Sequence, residues 1–289
     1  SALIAAAVPR QQIGYAMGLL QVGLGAGVAF GPLVGGVVAD AYGYHAVFYV
    51  TASLLVISGL MVFFGVEENF TPEEKKAHQG ESFISEWRHV LATPGVTTTF
   101  SLRFISQLGR MMMIPIIPLF IPLLLQDTSR LNTFTGLVIG VGSATMTLSA
   151  VYLGRLGDRI GHRLIVIISS FAAASLYFVQ SQVNAGWQLL LLQALVGVAM
   201  GGIIPAISAL LANLTTTGES GAVYGLDNSI TAAGRSIAPL LGAMVAASIS
   251  LRATFSLTGI LFLAIGALAS WLLPRTIKSQ SEHHLPNNL

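Results

Sequence analysis

The stretch that most constrains this chain is Gly18 to Gly36, where Gly18, Gly27, Gly31, Gly35 and Gly36 recur in an apolar run and Pro32 directly follows Gly31. A loop of this composition would not stay in water, and a soluble helix would not carry so much glycine. In a lipid-embedded helix, small residues let a neighbouring backbone approach closely, and packing takes over from the hydrophobic effect as the source of association. Pro32 removes one backbone donor and invites a bend.

The rest of the chain agrees with a lipid solvent. Of 289 residues, 54% are hydrophobic and 9% charged, whereas a soluble domain carries about 25% charged residues. Too little polar surface remains to cover a globule. A net charge of +2 gives no reason to expect nucleic acid as a partner, and without cysteine there is no thiol chemistry or disulfide. No cofactor or metal is expected: His283-His284 is the nearest thing to a ligand pair, in a polar tail.

A spanning helix needs about 20 apolar residues, and such segments fall at about 11–39, 45–66, 97–125, 132–153, 162–183, 186–212, 222–248 and 251–273. Residues 1–8 read as the tail of an earlier span. The charged segment 67–96 separates two spans from six. In it, Thr71-Pro72-Glu73-Glu74 resembles a capping box, and Phe83, Ile84, Trp87, Val90 and Leu91 share one helical face. A short helix on the membrane surface and a solvated linker both fit. Nine Lys and Arg of the connections and ends fall on one side and two, Arg130 and Arg252, on the other. This bias puts the 67–96 linker and the polar 275–289 tail in the cytoplasm.

Displaced by 207 residues, the sequence meets itself without a gap, and 17 of the first 51 positions are identical. Gly18 falls on Gly225, Gly27 on Gly234, Pro32 on Pro239 and Gly35 on Gly242, while Gly31 and Gly36 become Ala238 and Ala243. Four spans precede the second copy within 97–212. A complete repeat would put four before the first, so about 110 residues would precede this chain. The expected whole is an all-α membrane bundle of twelve spans, eight of them here. Residues 1–66 end one six-helix half, 97–274 form the other, and the two glycine-rich helices flank the boundary between them.

This architecture resembles the major facilitator superfamily. Gly18-x8-Gly27-x3-Gly31-Pro32-x2-Gly35-Gly36 is similar to the fifth-helix motif of its proton-coupled exporters. Gly154-Arg155-Leu156-Gly157-Asp158-Arg159-Ile160-Gly161-His162-Arg163 resembles its short cytoplasmic loop motif, with His162 in place of the usual basic residue. The likeness is closest to the drug:proton antiporter group, bacterial multidrug exporters of twelve spans. It implies a monomeric, multi-pass protein of the bacterial inner membrane, with a small-molecule substrate, protons as coupling ion and no enzymatic activity. It also implies that Asp158, beside Arg159 and Arg163, latches a gate by facing a helix N-terminus of the other half, near Gly14–Gly18 by pseudo-symmetry.

Within the spans, Arg103, Gln107 and Arg110 lie on one stripe of the first helix of the second half. Asp227 and Arg235 are the other charges in spans. Intramembrane charges face a cavity or a partner. Two readings compete: an ion pair between helices, such as Arg110 with Asp227, or a polar patch in a substrate cavity whose excess of arginine suits an acidic group. Arg103, near the membrane edge, is read as snorkelling to water. Asp227 is the local candidate for a proton site, although it stands near the start of its helix. Met111-Met112-Met113 followed by Pro115, Pro118 and Pro122 reads as a broken helix, and Gly201-Gly202 with Pro205 as a second flexible point. The function expected is proton-coupled efflux of drugs or other amphipathic molecules. The alternatives are an importer or exchanger of anions or sugars, and a non-transporting scaffold or inactive fragment.

Overall fold

The computed structural model of the chain describes residues 13–65, 95–214 and 220–273. The 67–94 part of the linker, residues 1–8 and His283-His284 lie outside them. Among the described residues the fold is all-α, with eight long helices: α1 (Ile13–Tyr42), α2 (Tyr44–Gly65), α3 (Val96–Phe120), α4 (Leu131–Ile160), α5 (His162–Gln180), α6 (Gly186–Leu214), α7 (Ser220–Ser248) and α8 (Leu251–Leu272). Each holds a window long and apolar enough to cross a membrane. The expected spans are matched to within a few residues at most ends.

Two differences have a local cause. The Gly154–Arg163 segment is not a loop: α4 continues to Ile160, and only Gly161, at φ +97°, separates it from α5. Only glycine adopts such a backbone without strain. Gly157 is small because an added Cβ would lie 2.5 Å from His162 Nδ1. Likewise, α3 runs unbroken through Pro115 and Pro118 and ends at Phe120, followed by a 3-10 turn at Ile121–Leu123 that contains Pro122.

Helices α3 to α8 share one core. Phe120 packs on Phe255 at 4.9 Å between ring centroids, and Tyr177 stacks on Phe262 at 5.6 Å. Phe262 fits because Gly109 leaves room: a Cβ there would sit 2.8 Å from its ring. The α4–α6 contact is built the same way. A Cβ at Gly197 would strike the Gly142 carbonyl, and one at Gly201 would strike the Ser149 hydroxyl. Gly202 likewise faces Ser169. These glycines are close packing points. Met112 and Met113 are buried in the core. At one end, Ser250 caps α8 by accepting from the Ala253 amide at 3.1 Å. Arg252 then donates to Ser181 O and Asn184 Oδ1, both at 2.8 Å, and lies over the Phe120 ring.

Helix α1 lies antiparallel on α4, with Gly25 against Thr147, Ala29 against Gly140, Pro32 against Gly136 and Gly36 against Asn132. Added Cβ atoms at Gly36 and Gly136 would strike the Asn132 and Pro32 carbonyls. α7 packs mainly on α3 instead, and α2 buries none of its residues. The glycine-rich helix α1 thus packs on α4, while its repeat partner α7 packs mainly on α3.

Candidate functional site

Between α1, α3, α4, α5 and α6 lies a cavity of ≈ 280 Å³. Arg110, Tyr177, Gln193 and Ser143 supply its polar lining; Met111, Met113, Met146 and Met200 supply much of the rest, and Val28 brings in α1. Methionine's flexible thioether adapts to irregular apolar shapes. Two close-approach glycines, Gly142 and Gly197, also line the space.

The structure distributes the predicted charges in an unexpected way. Asp227 pairs with Arg103 and not with Arg110: Nε–Oδ1 is 3.1 Å and Nη2–Oδ2 is 3.2 Å, a two-pronged contact from α3 to α7. Arg103 therefore does not snorkel. Its side chain and that of Asp227 are 16% and 14% exposed. The α3–α7 rotation decides this. A Cβ at Gly234 of α7 would sit 3.2 Å from Gln107, and Asp227, two turns earlier on α7, reaches Arg103, one turn before Gln107 on α3. The Nη2–Oδ2 arm is a hydrogen bond, and the Nε–Oδ1 arm is an ion-pair contact without hydrogen-bond alignment.

Arg110 is left with a neutral partner. Its Nη2 donates to Gln107 Oε1 at 3.1 Å. Arg110 Nε and Gln107 Nε2 are buried, with no hydrogen-bond partner among the described residues. Arg235 and Arg103 both lie within electrostatic range of Arg110. Only Arg103 of the three arginines pairs with Asp227 among the described residues. Arg235 itself is exposed. In the repeat it corresponds to Val28, which lines the cavity.

At the opposite end of α4, Asp158 Oδ1 lies 3.2 Å from His162 Nε2 and is 72% exposed. Arg163 turns away to donate to the Ser270 carbonyl of α8 at 2.6 Å. Among the described residues Asp158 meets His162 and not Arg159 or Arg163.

The glycines expected to pack tightly divide into two sets. Gly36 is pressed onto α4. Gly27 and Gly31 have nothing within 4 Å of an added Cβ, and Gly35 only Val47 at 3.9 Å. Gly25, outside the motif, makes the closer contact, with Thr147 Cγ2 2.8 Å from its added Cβ. Asp40 carries no signal of its role in the sequence alone. It stands next to the end of an apolar run, where a carboxylate looks like the boundary with water, yet it bonds α4.

A membrane bundle of closely packed helices, some pairs parallel and some antiparallel, around a cavity bordered by helices from two repeats defines the class. The sequence model described as Major Facilitator Superfamily matches residues 1–179 and 99–285, and the chain belongs to that family, as an integral multi-pass membrane protein. Similar relatives carry the name "Multidrug resistance protein MdtG" in Salmonella dublin, Salmonella typhimurium and Salmonella arizonae. Each is 37% identical over 274 residues, or 94% of this chain. The chain spans 66% of the length of each of these relatives.

Proposed function

We propose that the intact protein is a secondary transporter that exports amphipathic small molecules, in exchange for protons, by alternating exposure of the cavity around Arg110. The observation that carries this reading is a half-buried guanidinium, its Nε buried and without a hydrogen-bond partner and no carboxylate paired with it among the described residues, in an apolar, methionine-rich space between helices of two repeats. An unpaired charge at membrane depth is expensive and marks a pathway or a ligand counter-charge. The relatives' name supports drugs as substrates, and the family supports transport. The protein would act as a monomer in the bacterial inner membrane, with its C-terminus in the cytoplasm, as the arginine and lysine bias suggests.

Substrates with an acidic group fit this cavity best. Arg103 is already neutralised by Asp227, so Arg110, with Arg235 nearby, supplies the net positive field. In everted vesicles bearing the full-length protein, amphipathic anions should accumulate in an energised membrane, and an uncoupler should abolish the accumulation. Accumulation that survives the uncoupler would remove proton coupling. The absence of accumulation for both anionic and cationic dyes would remove the exporter reading.

A further inference from the structure

The contact of α1 and α2 with α4 ends in a polar cluster that the cavity does not use. Asp40 stands two residues before the end of α1. Its Oδ1 accepts from the Asn132 amide at 3.2 Å and from Asn132 Nδ2 at 2.8 Å, and its Oδ2 accepts from the Thr133 amide at 2.6 Å. Asn132 and Thr133 belong to the first turn of α4, whose amides have no acceptor within their own helix. Arg130, in the cap position of α4, makes no side-chain cap bond. Asp127, the nearest carboxylate in the preceding loop, is occupied by the Ser129 amide and hydroxyl, both at 2.9 Å, which hold its carboxyl below the usual range. The cap of α4 is therefore supplied from α1. Tyr44 of α2 adds its hydroxyl to Asn132 Oδ1 at 2.9 Å. His45 of α2 and Arg130 are exposed, and neither forms an ion pair with Asp40.

The repeat does not require this residue, because the counterpart of Asp40 is Ala247. A carboxylate at a helix N-terminus acts within about one turn, so the contact is lost once the helix ends part. We propose that Asp40 is a positioning residue: it latches α1 onto the N-terminus of α4 and holds shut the end of the molecule opposite Gly154–Arg163. Its release in each cycle rests on the transporter reading; the latch itself does not. Three bonds from one side chain make the closed arrangement a discrete state, and the close approach at Gly36 aligns the two helices for it.

The test is thiol accessibility. These 289 residues hold no cysteine, any cysteine elsewhere in the full-length protein is replaced by serine, and Thr135 lines a groove of ≈ 240 Å³ beside the latch together with Gly36, Ala39 and Asn132. In vesicles carrying the full-length protein with Thr135→Cys, an impermeant maleimide is added from the side of this groove. Asp40→Ala should raise the labelling rate about tenfold, as loss of about 1.4 kcal/mol from the closed state would. Asp40→Glu should return the rate toward that of the parent, which a purely structural defect would not do. Asn132→Ala, which keeps Asp40, should raise labelling by a smaller factor, and it decides the matter if Asp40→Ala does not fold. Unchanged labelling in folded Asp40→Ala and Asn132→Ala proteins would overturn the latch. Labelling that responds as stated in a protein that moves no dye would keep the latch and remove the transporter.

Discussion

Among residues, the cavity and its surroundings are shaped by which charges meet. Arg103, Gln107 and Arg110 could be placed on one stripe from their spacing alone, because helical periodicity fixes what one helix presents. Which of them Asp227 would meet depended on the rotation of α7 against α3, which no single helix encodes. The structure sets that rotation through Gly234 against Gln107. Removing one member of a buried pair strands the other charge, at a cost of about 3–5 kcal/mol. Arg103→Ala and Asp227→Ala should each lower the melting temperature strongly, while Arg103→Met with Asp227→Leu should recover much of the loss. Single variants as stable as the parent would show that the pair contributes nothing. Asp40 escaped the sequence reading for a related reason: its partners come from α4, 92 and 93 residues away.

Among elements, the existence and extent of the helices were legible because lipid demands long apolar segments with internally satisfied backbones. Proline was a poorer guide. Pro115 and Pro118 sit within α3 without ending it, as happens in membrane helices where neighbours and small shifts absorb the missing bond. Glycine needed a second helix before it could be interpreted. Gly36 and Gly136 touch backbone across the α1–α4 contact, so Gly36→Leu should separate the two helices or destabilise the fold by about 1–3 kcal/mol or more. Gly31→Ala should leave that contact intact. A disulfide between Gly25→Cys and Thr147→Cys reports on it, since the added Cβ lies 3.7 Å from Thr147 Cβ, within the usual range for a disulfide. It should form in the Gly31→Ala background and fail in Gly36→Leu. Formation in both would contradict the packing assigned to Gly36.

Across the whole molecule, the repeat accounts for the glycines left without neighbours. Gly234 and Gly242 of α7 press on Gln107 and Met112 of α3. Their counterparts Gly27 and Gly35 would need a helix related to α1 as α3 is to α7, and none lies among the described residues. The sequence carried this symmetry in its 207-residue offset, but it did not reveal that α1 and α7 take different partners here. Asp158 belongs to the same scale. The antiparallel register of α1 on α4 runs toward pairing Gly14–Gly18 with the end of α4, which supports a gate contact there as a proposal. Asp158→Asn should slow transport while leaving substrate affinity near that of the parent. An unchanged rate in a well-expressed variant would remove the gate role.

The central claim is that Arg110 supplies the charge around which the cavity receives its substrate. It is tested most directly by energised uptake of an amphipathic anion into everted vesicles bearing full-length protein with Arg110, Arg110→Lys or Arg110→Ala. Loss of a desolvated charge contact of about 2–3 kcal/mol predicts a fall of about 30-fold or more in apparent affinity for Arg110→Ala, with partial retention in Arg110→Lys and no comparable fall for a neutral dye. Equal uptake of the anion by the parent and by Arg110→Ala would contradict the account.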